Sequence, residues 1–381
     1  MTAGPGVPLN NGSVPEMDEA KAKERIPVRE EVTAAGQDRR GREGKTLEAE
    51  WRRAARRLAD AGVEEPEANA ERLLLYVLGL TKAELLRDWR EPFPEARRTA
   101  WEAALDRKAR GEPVQYIVGE QYFFGRPFRV NPAVLIPRPE TELLAEAVLA
   151  ALPADEPLTV LDVGTGSGAL AVTFAAERPR WRVIASDLSD AALDVARGNA
   201  ARHGVADRIR FVRGDLLEPF LAGADRNADR EAPDAPAVPG PGAVDAAEAP
   251  DPAEASDAPD VIVSNPPYIP SGELPRLQRE VAEFEPRLAL DGGADGLDAY
   301  RRMAAQLAEL PKMPRLVAWE TGAGQAGAVA ELLRAAADWD EIRMVRDYAG
   351  IDRHVLALRR ENGNSARRPA ETGPGIKRFG D

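Results

Sequence analysis

The chain contains no cysteine in 381 residues. That excludes a disulfide framework, a thiolate metal site and a cysteine nucleophile. Histidine is almost as scarce. Only His203 and His354 are present, so a histidine-rich metal centre is excluded and a Ser/His triad would have to use one of those two. No stretch approaches the ~18 apolar residues that a membrane helix needs. The opening residues (MTAGPGVPLNNGSVPEMDEA) carry no apolar run of the kind a signal peptide has. A basic excess is missing too. Against 64 Asp and Glu stand 51 Lys and Arg, for a formal charge of −13. A domain whose main task is gripping nucleic-acid phosphate usually shows the opposite balance. The expectation is a soluble cytoplasmic monomer with no membrane contact, no metal and no direct nucleic-acid partner.

The acidity is unevenly placed. Residues 222–260 hold ten acidic and two basic side chains, thirteen alanines and seven prolines, and only Val238 and Val244 as larger apolar groups. Such a segment cannot bury enough apolar surface to offset the entropy of ordering, so it reads as a structureless acidic insertion. Added length at a surface turn costs little. Residues 1–44 and 361–381 are similarly polar and without periodicity, and read as tails.

Between them the pattern changes twice. Residues 45–112 read as a small helical bundle. Trp51, Ala54, Ala55 and Leu58 share one helical face before Gly62, and Ala70, Leu73, Leu74, Val77 and Leu78 share another between Pro66 and Gly79. Thr81 starts a short helix, and Pro94 opens one carrying Trp101 and Leu105. This block offers packing or docking rather than chemistry. Residues 115–130 (QYIVGEQYFFGRPFRV), rich in aromatic and β-branched side chains around Gly119 and Gly125, read as a β-hairpin, which makes 113–131 a linker. Its aromatics could meet a partner or seal the junction between domains.

From 132 to 360 short apolar runs alternate with helical ones. Strands are expected at 158–163, 181–186, 208–213, 260–264, 315–320, 341–346 and 354–359, with helices between, which is a doubly wound α/β sheet. The first strand runs into Gly164-Thr165-Gly166-Ser167-Gly168 and a helix. This arrangement sets backbone N–H groups and a helix N-terminus beside a ligand. The second strand leads to Asp187, placed to bond ribose hydroxyls. These two features fit a dinucleotide and S-adenosylmethionine equally well. The third strand leads to Asp215 and Leu216, and the fourth to Asn265. Ligands in such sheets lie at the carboxyl ends of the strands, so Gly164, Asp187, Asp215 and Asn265 should share one crevice.

Asn265-Pro266-Pro267-Tyr268 is the most informative stretch. A planar amide or aromatic amine is a poor nucleophile because its nitrogen lone pair is delocalised. A site that methylates such a nitrogen needs acceptors for both N–H bonds. The Asn265 side-chain oxygen and the Pro266 carbonyl supply two, and the prolines hold them still. Tyr268 can lie against the flat substrate, where its π face favours developing positive charge. No histidine is needed, since the proton can leave after transfer.

The chain resembles the HemK/PrmC family of peptide chain release factor glutamine methyltransferases over about residues 46–360, the insertion apart. The resemblance rests on residues 111–119 (GEPVQYIVG), 136–142 (IPRPETE), 162–168 (DVGTGSG), 264–268 (SNPPY), 285–290 (EPRLAL) and 350–353 (GIDR). The Arg-Pro-Glu-Thr-Glu run and the helical block are particular to that family, whereas Asn-Pro-Pro-Tyr is shared with adenine-N6 methyltransferases. The resemblance implies a Rossmann-like seven-stranded class I methyltransferase domain. It implies S-adenosylmethionine on Gly164, Thr165, Gly166, Ser167, Gly168 and Asp187, with the adenine near Asp215 and Leu216 and the methyl end near Asn265. It implies a glutamine side chain on Asn265, Pro266 and Pro267, between walls of Tyr268 and Leu135; some members carry an aromatic at the latter place. The implied substrate is the Gly-Gly-Gln glutamine of class 1 release factors, docked by the helical block. Rival readings are a ribosomal protein L3 glutamine methyltransferase, a nucleic-acid amino-methyltransferase, a non-catalytic S-adenosylmethionine-binding scaffold and a nicotinamide-dependent oxidoreductase. The last has no use for Asn-Pro-Pro-Tyr.

Overall fold

The computed structural model describes residues 46–222 and 258–360. Both expected tails, and residues 223–257 of the expected insertion, lie outside the described residues. The chain divides into two units at Val118 and Gly119.

The first unit is helical: α1 (Leu47–Asp60), α2 (Pro66–Leu78), α3 (Lys82–Arg87), α4 (Arg98–Ala109) and α5 (Val114–Val118). Local chemistry sets the starts. Thr46 caps α1 by accepting from the Ala49 N–H, Pro66 occupies the first turn of α2, and Thr81 and Glu84 form a reciprocal capping box on α3. The apolar faces read from the sequence meet in one core of Leu58, Leu73, Leu74, Trp101 and Leu105. Helix α5 corrects the expected hairpin, which was to begin at 115. Its β-branched residues favour a strand in isolation. Here the Pro113 carbonyl accepts from the N–H groups of Tyr116 and Ile117, and Val114 and Ile117 are buried in the helical core. Packing overrides propensity.

The second unit opens with the hairpin proper, β1 (Glu120–Phe123) and β2 (Arg126–Arg129). Helix α6 (Pro139–Ala151) follows, then β3 (Thr159–Val163), α7 (Ala169–Glu177), β4 (Arg182–Asp187), α8 (Asp190–Arg202), β5 (Ile209–Arg213), β6 (Val261–Ser264), α9 (Arg279–Phe284), α10 (Asp298–Leu307), β7 (Leu316–Glu320), α11 (Ala326–Ala336), β8 (Glu341–Arg346) and β9 (Asp352–Leu358). The seven strands lie in the order β5-β4-β3-β6-β7-β9-β8. β5 to β7 run parallel, and β9 is antiparallel to both β7 and β8. The central strands read as continuous apolar runs because both faces are covered. One core takes Leu144, Val160, Phe174 and Trp181; the other takes Leu161, Tyr300, Trp319 and Leu333. The chain moves outward from β3 in both directions, through β4 and β5 and through β6 and β7. Its switch point is therefore beside β3, where a crevice opens at the strand ends.

Two of the hairpin aromatics serve the core of the second unit. Phe123 and Phe128 are fully buried in the first of these cores, edge to face at 6.0 Å, while Tyr122 is exposed. They are core residues of the second unit. Truncating Phe128 to alanine is expected to cost ~3–5 kcal/mol. Tyr122→Ala should shift stability by under ~0.5 kcal/mol. Urea unfolding of both variants checks this; equal effects would contradict the assignment.

Candidate active site

The site is built at the carboxyl ends of β5, β4, β3 and β6. After β3 the chain turns through Gly164 and Gly166, with φ of +71° and +54°, conformations that suit glycine. A Cβ at either would meet open space, whereas one at Gly168 would press on Ala196 at 3.1 Å. The first two glycines thus keep the turn clear for a ligand, and the third lets α7 pack on α8. The Gly164 and Thr165 N–H groups both donate to the Ser186 carbonyl at 2.9 Å, tying the turn to β4.

Asp187 ends β4. Its carboxylate accepts from the N–H groups of Gly166 and Ser189, both at 2.9 Å. Burial raises its pKa, and the backbone donors oppose that. It therefore shapes the glycine turn as well as facing the crevice. Asp215 accepts from Arg302 at 2.8 Å. Leu216 holds φ of +53°, a strained backbone for a leucine that costs roughly 1–3 kcal/mol. Ser264, at the end of β6, donates to the Val163 carbonyl at 2.8 Å and so fixes the start of the Asn-Pro-Pro-Tyr turn against β3.

A cavity of about 700 Å³ joins these groups. Leu135, Gly164 to Ser167, Asp187, Asp215, Leu216, Asn265, Pro266 and Pro267 all line it. Gly168 does not line it, consistent with its packing role, and neither does Tyr268. The tyrosine packs against the core around Tyr300 and Trp319, and burial pushes its hydroxyl up to about 12. Its carbonyl accepts from Gln325 at 2.9 Å.

Several neighbours carry roles that sequence reasoning did not assign. Glu285 is buried, accepts from the Ile136 N–H at 3.1 Å and pairs with Arg138, which fastens the segment carrying Leu135. Two of the quoted stretches, 136–142 and 285–290, are thereby joined. Thr141 of α6 accepts from the Asn265 side-chain nitrogen at 3.1 Å and donates to Glu320 at 2.7 Å. Glu320 ends β7, and an acid at the end of a buried strand is the same signal that marked Asp187. His354 faces Glu320 at 3.9 Å, so a histidine stands nearer the site than the motifs indicate. Burial pushes it down to about 4, so its ring is neutral. His203 lies elsewhere, with its ring nitrogen 3.0 Å from the Pro127 carbonyl. Among the described residues there is no cluster of potential metal ligands, and no helix is long and apolar enough to cross a membrane.

A seven-stranded α/β sheet, a glycine turn with an acid on the next strand and an Asn-Pro-Pro-Tyr turn on one cavity define a methyltransferase. Comparison with known proteins agrees. Residues 51–119 match the PrmC N-terminal domain family, and residues 160–230 match a methyltransferase domain family. The release factor glutamine methyltransferase of Moorella thermoacetica is 42% identical over 316 residues, covering 83% of this chain and 99% of that protein. The one from Bacillus subtilis is 38% identical over 309 residues, covering 80% and 95%. The one from Cereibacter sphaeroides is 42% identical over 308 residues, covering 80% and 96%. The chain belongs to the release factor glutamine methyltransferase family, and its cofactor is S-adenosylmethionine. The residues present fit that cofactor. The cleared glycine turn would leave room for it, and the acids Asp187 and Asp215 at strand ends offer acceptors to its hydroxyls.

Asp162 supports the turn from below. It is buried and accepts at one oxygen from the Thr165 hydroxyl at 2.7 Å and from the Ala171 N–H at 3.1 Å. Burial pushes its carboxyl from 3.8 up to about 7, against those two hydrogen bonds, with the Asp187 charge adding to the rise. The folded chain then binds more protons than the unfolded one between about pH 4 and about pH 7. The stability this group contributes is full below that window and is lost as pH rises through it. Asp162→Asn keeps an acceptor oxygen for both donors but does not titrate. Between about pH 5 and about pH 8 its unfolding free energy in urea should fall less than that of the wild type. An equal fall would contradict the assignment.

Proposed function

We propose that this chain methylates the side-chain amide nitrogen of the glutamine in the Gly-Gly-Gln loop of class 1 release factors, giving N5-methylglutamine, in the cytoplasm and as a monomer. The observation that carries the reading is the Asn265 amide. Its nitrogen donates to Thr141, and both residues line the cavity, so its oxygen is the atom of the amide assigned to the substrate. That oxygen accepts one N–H of the glutamine amide, and the Pro266 carbonyl accepts the other. With both N–H bonds fixed in direction, the nitrogen lone pair is turned toward the methyl group. When bound, S-adenosylmethionine supplies that methyl on a sulfonium. The new C–N bond would form as that C–S bond breaks, and the glutamine nitrogen, held by Asn265 and Pro266, would release its proton to water.

Placement along the cavity supports the other assignments. Gly164 to Ser167 and Asp187 hold the cofactor's amino-acid and ribose parts, and Asp215 and Leu216 border its adenine. Gly168 serves by packing α7 on α8. Leu135, Pro266 and Pro267 wall the glutamine, and Tyr268 stiffens the turn from its far side. Residues 46–118 serve as the release-factor docking block and the unit that begins at Gly119 as the catalytic one.

Two substitutions separate the roles. Asn265→Ala should lower methyl transfer to release factor by ~10²–10³-fold, the usual loss for one preorganised polar contact, with cofactor affinity nearly unchanged. Asp187→Ala should weaken cofactor binding in calorimetry, because a charged acceptor is lost. Transfer at the wild-type rate by the Asn265 variant would overturn the mechanism. Labelled methyl entering only ribosomal protein L3 or DNA, with release factor offered in parallel, would overturn the substrate.

A further inference from the structure

We propose that Thr141 and Glu320 are positioning residues that dictate which end of the Asn265 amide is presented to the substrate. This rests on the function proposed above and deepens it. The three residues come from separate elements, α6, the end of β7 and the turn after β6. Thr141 and Glu320 are both nearly fully buried.

The polarity of the chain of hydrogen bonds is forced from its inner end. An ionised carboxylate can only accept. Glu320 therefore takes the single hydroxyl proton of Thr141, across 2.7 Å. The Thr141 oxygen, its proton spent, can only accept in turn, and it does so from the Asn265 side-chain nitrogen at 3.1 Å. The asparagine NH2 is thus committed to Thr141, and Oδ1 is the amide atom left to accept from a substrate. The reverse orientation would set an NH2 group against the NH2 group of a glutamine side chain, two donors facing each other with no proton acceptor between them.

The arrangement carries its own switch. Once protonated, Glu320 can donate to Thr141, the hydroxyl can then donate outward, and the asparagine is free to turn its oxygen inward. Burial pushes the Glu320 carboxyl up to about 7, against hydrogen bonds from Thr141 and Asn265. The groups facing it are Glu140 and Thr141 on α6, Asn265 and Tyr268 after β6, Tyr300 on α10, and Arg353 and His354 on β9. The His354 ring, at about 4, and the Tyr268 hydroxyl, at about 12, lie outside the neutral range, and Tyr300 is raised well above its ordinary value. Activity should rise with pH through neutrality as Glu320 ionises.

The test compares Thr141→Val, Thr141→Ser and Glu320→Gln with the wild type. The readouts are kcat and KM for release factor, cofactor affinity by calorimetry, thermal unfolding, and the pH profile of kcat. Thr141→Val should lower kcat by about 10- to 100-fold, the range for outer groups that orient an inner one, while cofactor affinity stays within about twofold. Thr141→Ser restores the hydroxyl and should recover kcat to within about threefold of wild type. Glu320→Gln should be slow at all pH values and lack the rise through neutrality. A wild-type kcat in Thr141→Val, equal slowness in Thr141→Ser and Thr141→Val, or a retained pH rise in Glu320→Gln would each overturn the proposal. If Thr141→Val does not fold, the serine variant and the Glu320→Gln profile decide. A wild-type enzyme that transfers nothing to release factor would instead mark failure of the underlying function.

Discussion

A primary amide gives up its nitrogen lone pair to its own carbonyl, and a site that methylates it has to counter that before any other contact matters. Fixing both N–H bonds on rigid acceptors is the means available to a protein with neutral side chains at the point of reaction. The rest of the second unit can be read as support for those acceptors. Ser264 fastens the turn to β3, two prolines restrict it, Gln325 holds the Tyr268 carbonyl, and Thr141, itself bonded to Glu320, engages Asn265.

The same sheet places the electrostatics. Asp162, Asp187 and Glu320 lie on adjacent or near-adjacent strands, each buried or largely so. Each is held by hydroxyl, amide or backbone N–H donors. Neutral donors keep a carboxylate in place without cancelling its field. Two of these acids, Asp162 and Asp187, line the cavity. The formal charge of −13 is a separate matter, since much of it belongs to residues 222–260.

The seven strands, the glycine turn, Asp187 and the Asn-Pro-Pro-Tyr turn were legible because each is written in a short contiguous stretch: an apolar run, a run of glycines, a strand end. Helix α5 was not, because its β-branched residues follow the core they pack into rather than their own preference. Helix α6 escaped for a related reason. Its start, Arg-Pro-Glu-Thr-Glu, reads as a motif, and its apolar residues are spread around the helix. Thr141 and Glu320 are 179 residues apart, and nothing local couples them. Tyr268 shows the opposite limit: the motif fixes its place in the chain, but the neighbouring core decides where its ring goes. The hairpin aromatics likewise found a core that the sequence pattern alone did not assign to them.

The central claim concerns one atom, the side-chain nitrogen of one glutamine. Mass-spectrometric mapping of a class 1 release factor after incubation with the enzyme and S-adenosylmethionine tests it most directly. The account predicts a single methyl group on the glutamine of the Gly-Gly-Gln loop, and none when that residue is replaced by glutamate. A methyl group on any other residue, or one that persists after the replacement, would contradict it.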